Sequence, residues 1–84
     1  MEIDKLCKQV LSTLLFEETF EHICEDCGIS NRKVVADIVK TLVVKDLVRV
    51  YELRSDRYVQ VHYIEPDYFK DLYFRITAQG MEKL

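Results

Sequence analysis

The sequence predicts an α+β domain in which three helices precede a β-ribbon and a short closing helix. Over residues 3–45, apolar residues recur every three or four positions, which is the spacing of helices that bury one face. Over residues 47–76, three runs rich in Val, Tyr and Ile are typical of strands. The chain has 84 residues, and 49% of them are hydrophobic. We therefore predict a single small domain spanning residues 1–84.

The helical half divides into three predicted helices. The first covers residues 3–15, and the second covers residues 20–27 with Thr19 as its N-cap. Residues 17–19 are predicted to be a non-helical segment that separates these two helices. Gly28 suits the left-handed position that ends the second helix. Ser30 or Asn31 is expected to cap the third helix, over residues 31–45. The first helix is predicted to bury a stripe made of Ile3, Leu6, Cys7, Val10, Leu11, Leu14 and Leu15.

The second half contains three predicted strands, at residues 47–53, 58–64 and 72–76. Residues 54–57 (Arg-Ser-Asp-Arg) form the predicted turn of the first hairpin. Pro66 ends the second strand, because proline cannot donate a hydrogen bond to a ladder. In the third strand, Leu72, Phe74 and Ile76 alternate with polar or amphipathic residues, as in a strand with one buried face. Thr77 is predicted to cap a closing helix that runs to residue 84.

The charge of the chain is unevenly distributed. The formal net charge is −3, but residues 31–63 carry seven Lys and Arg against four acidic residues. Residues 1–30 carry two Lys against seven acidic residues. A local positive field, rather than net charge, guides association with a polyanion. This distribution favours a basic surface on the third helix and the hairpin.

Three segments resemble the winged helix-turn-helix family of transcription regulators. Residues 23–30 (ICEDCGIS) resemble the first helix and the turn of its helix-turn-helix. The apolar positions of residues 35–48 resemble the core positions of its recognition helix and the start of its wing. Residues 75–80 (RITAQG) resemble the exit from the wing, where a Leu-Thr-x-x-Gly pattern starts a helix. Lys45 and Asp46 depart from the pattern, because the family usually has a small residue and a glycine there.

The resemblance implies a DNA-binding transcriptional regulator that acts on double-stranded DNA, as an expected homodimer. It implies that helix 31–45 enters the major groove and that the turn at residues 54–57 acts as the wing. With Val35, Val39 and Leu42 packed inward, the outward face of that helix begins with polar and basic residues. Arg and Asn side chains pair with guanine and adenine edges, and Lys neutralises phosphate. The predicted DNA-binding residues are Asn31, Arg32, Lys33, Val34, Arg54 and Arg57.

A protein-interaction module without DNA binding is the alternative interpretation. Asp37 lies on the same predicted face and would repel phosphate, and the first two helices are acidic. Val34 and Ile38 are expected to form an apolar patch on this face. Tyr68 and Phe69, beside Pro66, are expected to be at least partly exposed and to contact a partner or a second subunit. Tyr58, Tyr63, Tyr73 and Phe74 are expected to fill the space between the ribbon and the helices.

Other functional classes find little support in the sequence. Cys24 and Cys27 occupy positions that match core residues, so His22, Cys24 and Cys27 are expected not to bind metal, and no cofactor is predicted. The chain has two glycines and therefore no glycine-rich phosphate loop. Its paired carboxylates are adjacent in sequence, and neighbours on a helix point in different directions, so they are not expected to act as an acid/base pair. An enzyme is therefore not expected. No apolar run is long enough to cross a membrane, and no signal peptide is evident. Three cysteines without a disulfide pattern favour a cytoplasmic protein.

Overall fold

The chain folds into helices packed on one side of an antiparallel sheet. A computed structural model describes residues 5–59, 69 and 71–84. Within them, the four α-helices and the four-stranded sheet confirm the predicted α+β class. The elements in chain order are α1 (Lys5–Ser12), a 3₁₀ turn (Thr13–Leu15), β1 (Glu18–Thr19), α2 (Phe20–Asp26), α3 (Arg32–Val44), β2 (Val48–Glu52), β3 (Tyr58–Val59), β4 (Leu72–Ile76) and α4 (Ala78–Glu82).

The helices α2, α3 and α4 each begin directly after a residue that the sequence predicts as a cap. The Thr19 side chain accepts a hydrogen bond from the backbone N–H of His22, at the start of α2. The Asn31 side chain likewise accepts hydrogen bonds from backbone N–H groups in the first turn of α3, and the Thr77 side chain accepts one in the first turn of α4. Such caps satisfy backbone donors that have no partner within the helix. Gly28 follows α2 with φ +79°, so the predicted left-handed position is confirmed.

An aspartate, rather than a glycine, ends α3. Asp46 has φ 59°. Its backbone N–H donates to the carbonyl oxygen of Val43, and the N–H of Leu47 donates to that of Leu42, both at 3.0 Å. These two bonds form a Schellman motif, which satisfies carbonyls in the last turn of the helix. Asp tolerates the left-handed region better than most residues with a side chain. The departure at Lys45 and Asp46 therefore leaves the geometry of the helix end intact.

The sheet contains one strand that the sequence analysis missed. The strand order is β1-β4-β2-β3, and every neighbouring pair is antiparallel. Glu18 pairs with Phe74 and Thr19 with Tyr73, so the predicted break between the first two helices is confirmed but also contains a short strand. A strand of two residues has too few positions to show alternation, and its partner lies far along the chain. β3 is described only at Tyr58–Val59, and the rest of its predicted range lies outside the described residues, as does Ile3.

One hydrophobic core joins the helices to the inner face of the sheet. From the helices, Val10, Leu11, Leu14, Ile23, Val35, Val39 and Leu42 are each fully buried. The strands contribute Val48, Val50, Phe74 and Ile76 to the same cluster. Side chains alternate between the two faces of a strand, so the residues between these four lie on the outer face. The predicted alternation in the third strand is confirmed.

The predicted exposure of Phe69 is wrong. Phe69 is 1% exposed, with its ring centroid 5.0 Å from that of Phe20 and 5.4 Å from that of Phe74. Both contacts are edge-to-face, which is a favourable arrangement for aromatic pairs. Phe69 therefore cannot present its ring to a partner, and Tyr68 lies outside the described residues. The proximity of Pro66 suggested a surface loop, but burial of the ring against α2 and β4 outweighs that signal.

Among the described helices, none combines the length and the apolar character that a membrane span requires.

Candidate nucleic-acid interface

The contacts of α2 and α3 with the core determine which face of α3 is exposed to solvent. Ile23 of α2 and Val35 and Val39 of α3 are fully buried in the common core. Ile29, between the helices, is half-buried and packs against that core. Because both helices are held by apolar contacts on their inner faces, the opposite face of α3 is turned toward solvent. The side chains of Arg32, Lys33 and Asp37 are exposed there.

Asn31 serves mainly as the cap of α3. Its side-chain oxygen accepts from the backbone N–H groups of Lys33, at 2.9 Å, and Val34, at 3.3 Å. An amide that pairs with adenine uses its oxygen and its nitrogen together. Since the oxygen is engaged, the amide nitrogen of Asn31 is the part left for a ligand. The sequence placed the cap at Ser30 or Asn31 but did not show that capping and base contact compete for the same atom.

Arg32 is paired with a carboxylate on α2. Its two terminal nitrogens donate to the two carboxylate oxygens of Glu21, at 2.9 and 2.6 Å. Its guanidinium also lies over the ring of Phe20, 5.4 Å from the centroid. The hydrogen bond from Arg32 lowers the pKa of Glu21, and the same bond raises the pKa of Arg32. A bidentate pair of this kind neutralises the charge predicted to contact DNA.

The pairing of Arg32 with Glu21 depends on pH in one direction. Because the pKa of Glu21 is lowered in the folded chain, the stabilisation is present above the ordinary pKa of a glutamate. It is lost as the pH falls through the lowered value. Both side chains are more than half exposed, so water and salt weaken the pair, and a phosphate group has access to the guanidinium.

The remaining residues on α3 are mixed in character. The Lys33 ammonium group makes no ion pair with the residues that the structure describes. Val34 is half-buried, and Ile38 is half-buried with its side chain packed against the core. The expected apolar patch is therefore smaller than predicted, because Ile38 also contributes to the core. Asp37 is exposed, as predicted.

The hairpin between β2 and β3 carries the other two predicted DNA-binding residues. The backbone N–H of Glu52 donates to the carbonyl of Arg57 at 2.9 Å and closes the loop. Asp56 adopts φ 58°, and the Ser55 hydroxyl donates to the Glu52 carboxylate at 2.9 Å. Arg54 and Arg57 are exposed, and neither forms an ion pair within the described part of the chain. Both guanidinium groups are therefore accessible to an anion.

The cysteines lie where the sequence predicts core residues. Cys7 and Cys27 are buried and Cys24 is half-buried. Burial raises the pKa of the Cys24 thiol, which makes thiolate chemistry less favourable there. The His22 ring contacts the Glu18 carboxylate at 3.0 Å. In the portion of the chain that is described, no three His, Cys, Asp or Glu side chains cluster in a way that suits a metal ion.

The predicted site residues thus fall on two elements. Asn31, Arg32, Lys33 and Val34 lie at the start of α3, and Arg54 and Arg57 lie in the β2–β3 hairpin. The sequence identified these positions but missed the Glu21 contact, because the two partners are eleven residues apart and on different helices. Comparison of the chain with protein-family models, with curated proteins and with solved structures found no match.

Proposed function

We propose that this chain is a winged helix-turn-helix domain that binds double-stranded DNA as a transcriptional regulator in the cytoplasm, and that it is not an enzyme. In this proposal α3 enters the major groove and the β2–β3 hairpin is the wing. One observation carries it: Lys33 on α3 and Arg54 and Arg57 on the hairpin are exposed cations without acidic partners among the described residues. The order of α2, glycine turn, α3 and hairpin supports the same interpretation.

The proposed contacts follow from the chemistry of each side chain. Lys33 neutralises phosphate, and Arg54 and Arg57 bind the backbone or an adjacent minor groove. Val34 contacts a thymine methyl group. Arg32 exchanges its Glu21 partner for DNA, since the pair is exposed. Phosphate contacts supply most of the affinity, and the few base contacts supply sequence choice.

A homodimer is part of the proposal. Leu6 and Leu15 are 44% and 52% exposed, so their predicted place in the buried stripe of the first helix is wrong, and Met81 and Leu84 are 53% and 47% exposed. A small domain gains buried apolar area by self-association. Two copies would present two α3 helices to half-sites about one helical turn apart. Sedimentation of the complex with DNA measures the number of chains, and one chain per specific site would contradict the dimer.

Removing the three free cations is expected to weaken DNA binding. Relative to the unmodified protein, the variant Lys33→Ala, Arg54→Ala, Arg57→Ala loses three phosphate contacts. The slope of log affinity against log salt should fall in magnitude by about 2.7, at about 0.9 for each contact. Fluorescence anisotropy with mixed double-stranded fragments, from low to physiological salt, measures this slope.

The matched control removes the same charge elsewhere. Lys5, Lys8 and Lys83 are exposed and lie outside α3 and the hairpin, so their triple replacement by Ala should leave the slope almost unchanged. Equal losses in the two triple variants would mean that binding depends on net charge alone and not on this surface. Absence of binding at low salt by the folded protein would contradict the DNA proposal as a whole.

Releasing Arg32 is expected to strengthen binding. Glu21→Gln removes the carboxylate that accepts both hydrogen bonds from Arg32. Because Arg32 then no longer has to leave a carboxylate before it contacts phosphate, the affinity at low salt should rise by roughly 1.4- to 5-fold, which corresponds to an exposed ion pair. The control is Glu25→Gln, which makes the same charge change at an exposed position of α2 that forms no ion pair with the described residues. Identical affinities for both variants would show that Arg32 does not contact DNA.

A protein-interaction module is the second candidate, and the Arg32–Glu21 pair favours it. This pair, together with exposed Asp37, reduces the positive charge at the start of α3. A partner would contact Val34 and Ile38, which are both half-buried, whereas Phe69 is buried and offers no surface. In this case the folded protein does not bind duplex DNA at low salt, and the anisotropy experiment distinguishes the two candidates.

A further inference from the structure

The outer face of the sheet carries two arginines directly opposite each other. In the antiparallel pairing of β2 with β4, Arg49 is the partner of Arg75, and Tyr51 is the partner of Tyr73. Partner residues project from the same face of a sheet. The side chains on the other face of these strands, Val48, Val50, Phe74 and Ile76, are buried beneath the helices. The two arginines and the two tyrosines therefore lie on the face that points away from α1, α2 and α3.

The two guanidinium groups are weakly neutralised. Arg49 approaches the Asp46 carboxylate only to 3.9 Å, and Arg75 approaches that of Glu17 only to 3.6 Å. Charge-assisted hydrogen bonds are shorter, at about 2.7–2.9 Å, and the Arg32–Glu21 pair falls near that range. Neither Arg49 nor Arg75 donates a side-chain hydrogen bond to any described residue. Like charges facing each other across two strands are unfavourable, and an anion between them removes that repulsion.

Three tyrosines form a row across the sheet beside this pair of charges. The rings of Tyr51 and Tyr73 are stacked, with centroids 5.2 Å apart and planes 14° apart. Tyr58 on β3 meets Tyr51 edge-on at 5.9 Å, and the Arg49 guanidinium lies 5.7 Å from the Tyr58 centroid. Tyr58 is 51% exposed. The expectation that Tyr58 and Tyr73 fill the space between ribbon and helices is therefore wrong, because their positions in the register place them on the outer face.

A cavity opens beside the arginines. It has a volume of about 360 Å³ and is lined by Arg49, Tyr51, Arg75 and residues 76–78 at the junction of β4 and α4. Sites for small molecules have volumes of about 300–1,000 Å³. The cavity therefore has room for a group larger than an inorganic anion. The Thr77 hydroxyl is already engaged, donating to the Asp46 carbonyl and accepting from the Gly80 N–H.

We propose that this outer face binds a nucleotide unit, with its phosphate held by Arg49 and Arg75 and its base against the exposed ring of Tyr58. The planar guanidinium groups fit phosphate oxygens in a bidentate manner, and every base has a π-face that stacks on an aromatic ring. A free mononucleotide and a single-stranded nucleic acid share this chemistry. The proposed duplex-binding residues are on α3 and the hairpin tip, so this inference is independent of the duplex proposal.

The first test removes the two arginines. The probes are short fluorescein-labelled oligouridylate and oligothymidylate, and anisotropy is measured from low to physiological salt. Arg49→Gln with Arg75→Gln should reduce the magnitude of the salt slope by about 1.4, at about 0.7 for each phosphate on a single strand. The control, Lys5→Gln with Lys8→Gln on α1, should leave it unchanged. Equal effects of the two variants, or none, would overturn the proposal.

The second test addresses base stacking. Tyr58→Ala removes a half-exposed ring and should weaken binding of the oligonucleotides by roughly 5- to 150-fold, the range for loss of one stacking contact. The Lys33, Arg54, Arg57 variant should retain single-strand binding, which separates this face from the proposed duplex surface. Unchanged affinity for Tyr58→Ala, in a protein whose circular dichroism is unchanged, would remove the base contact from the proposal and overturn it.

Competition identifies the source of the nucleotide. Displacement of the probe by uridine or thymidine monophosphate supports a free nucleotide as the ligand. Displacement only by unlabelled single strands supports a nucleic acid, and the two probes distinguish RNA from DNA. Displacement by inorganic phosphate as readily as by nucleotides would overturn the proposal, because no base would then be recognised. Equally effective displacement by duplex DNA would overturn it as well.

Discussion

Phe69→Ala is expected to destabilise the protein by about 3–5 kcal/mol, the usual effect of truncating a buried aromatic ring. The ring of Phe69 is 1% exposed and contacts Phe20 of α2 and Phe74 of β4. Its removal leaves a cavity between a helix and the centre of the sheet. A domain of this size has a total stability of about 4–13 kcal/mol, so this loss is between about a quarter of the total and all of it.

Urea denaturation followed by far-UV circular dichroism measures the effect, and an exposed phenylalanine provides the control. Phe16 is 80% exposed, so Phe16→Ala should change the free energy of unfolding by less than about 0.5 kcal/mol. If Phe69→Ala does not fold at all, Phe69→Leu retains much of the apolar volume and should give a smaller, measurable loss. Equal stability of the Phe69→Ala and Phe16→Ala variants would place Phe69 outside the core.

The sequence predicts well those parts of the fold that have a local cause. The caps at Thr19, Asn31 and Thr77 need only a side-chain oxygen beside the first turn of a helix. The strand β4 has the predicted bounds, because its alternation extends over five residues. By contrast, β1 exists through pairing with Tyr73 and Phe74, more than fifty residues away, and its own two residues contain no detectable period.

The site shows the same limit for side-chain partners. The sequence indicates that Arg32 and Lys33 lie at the exposed start of α3, since this follows from helical spacing. It does not indicate that Arg32 reaches Glu21 while Lys33 has no described partner, because the approach of α2 to α3 decides this. Arg49 and Arg75 lie opposite each other because of the register between β2 and β4. Both features become visible only when distant segments are placed together.

Gly80→Ala should destabilise the protein by about 1–3 kcal/mol, although helix propensity alone predicts the opposite sign. Gly80 lies within α4, where alanine is ordinarily favoured by about 1 kcal/mol. A Cβ atom at this position would overlap the carbonyl oxygen of Leu47 and would lie 2.7 Å from Cγ1 of Ile76. The Leu47 carbonyl cannot easily move, since it accepts the backbone N–H of Thr77 at 3.0 Å.

The sign of this change decides between packing and propensity. If α4 lies against β2 and β4 as closely as these contacts indicate, chemical denaturation should show a loss of stability. If α4 is only a loosely attached helix, the substitution should instead increase stability. Gln79→Ala, at an exposed position of the same helix, is the control and should change the free energy of unfolding by less than about 0.5 kcal/mol. A loss confined to Gly80 would mean that the glycine is required because Leu47 and Ile76 occupy the space of a side chain. Through this close contact, the C-terminal helix is attached to the strands that carry Arg49 and Arg75.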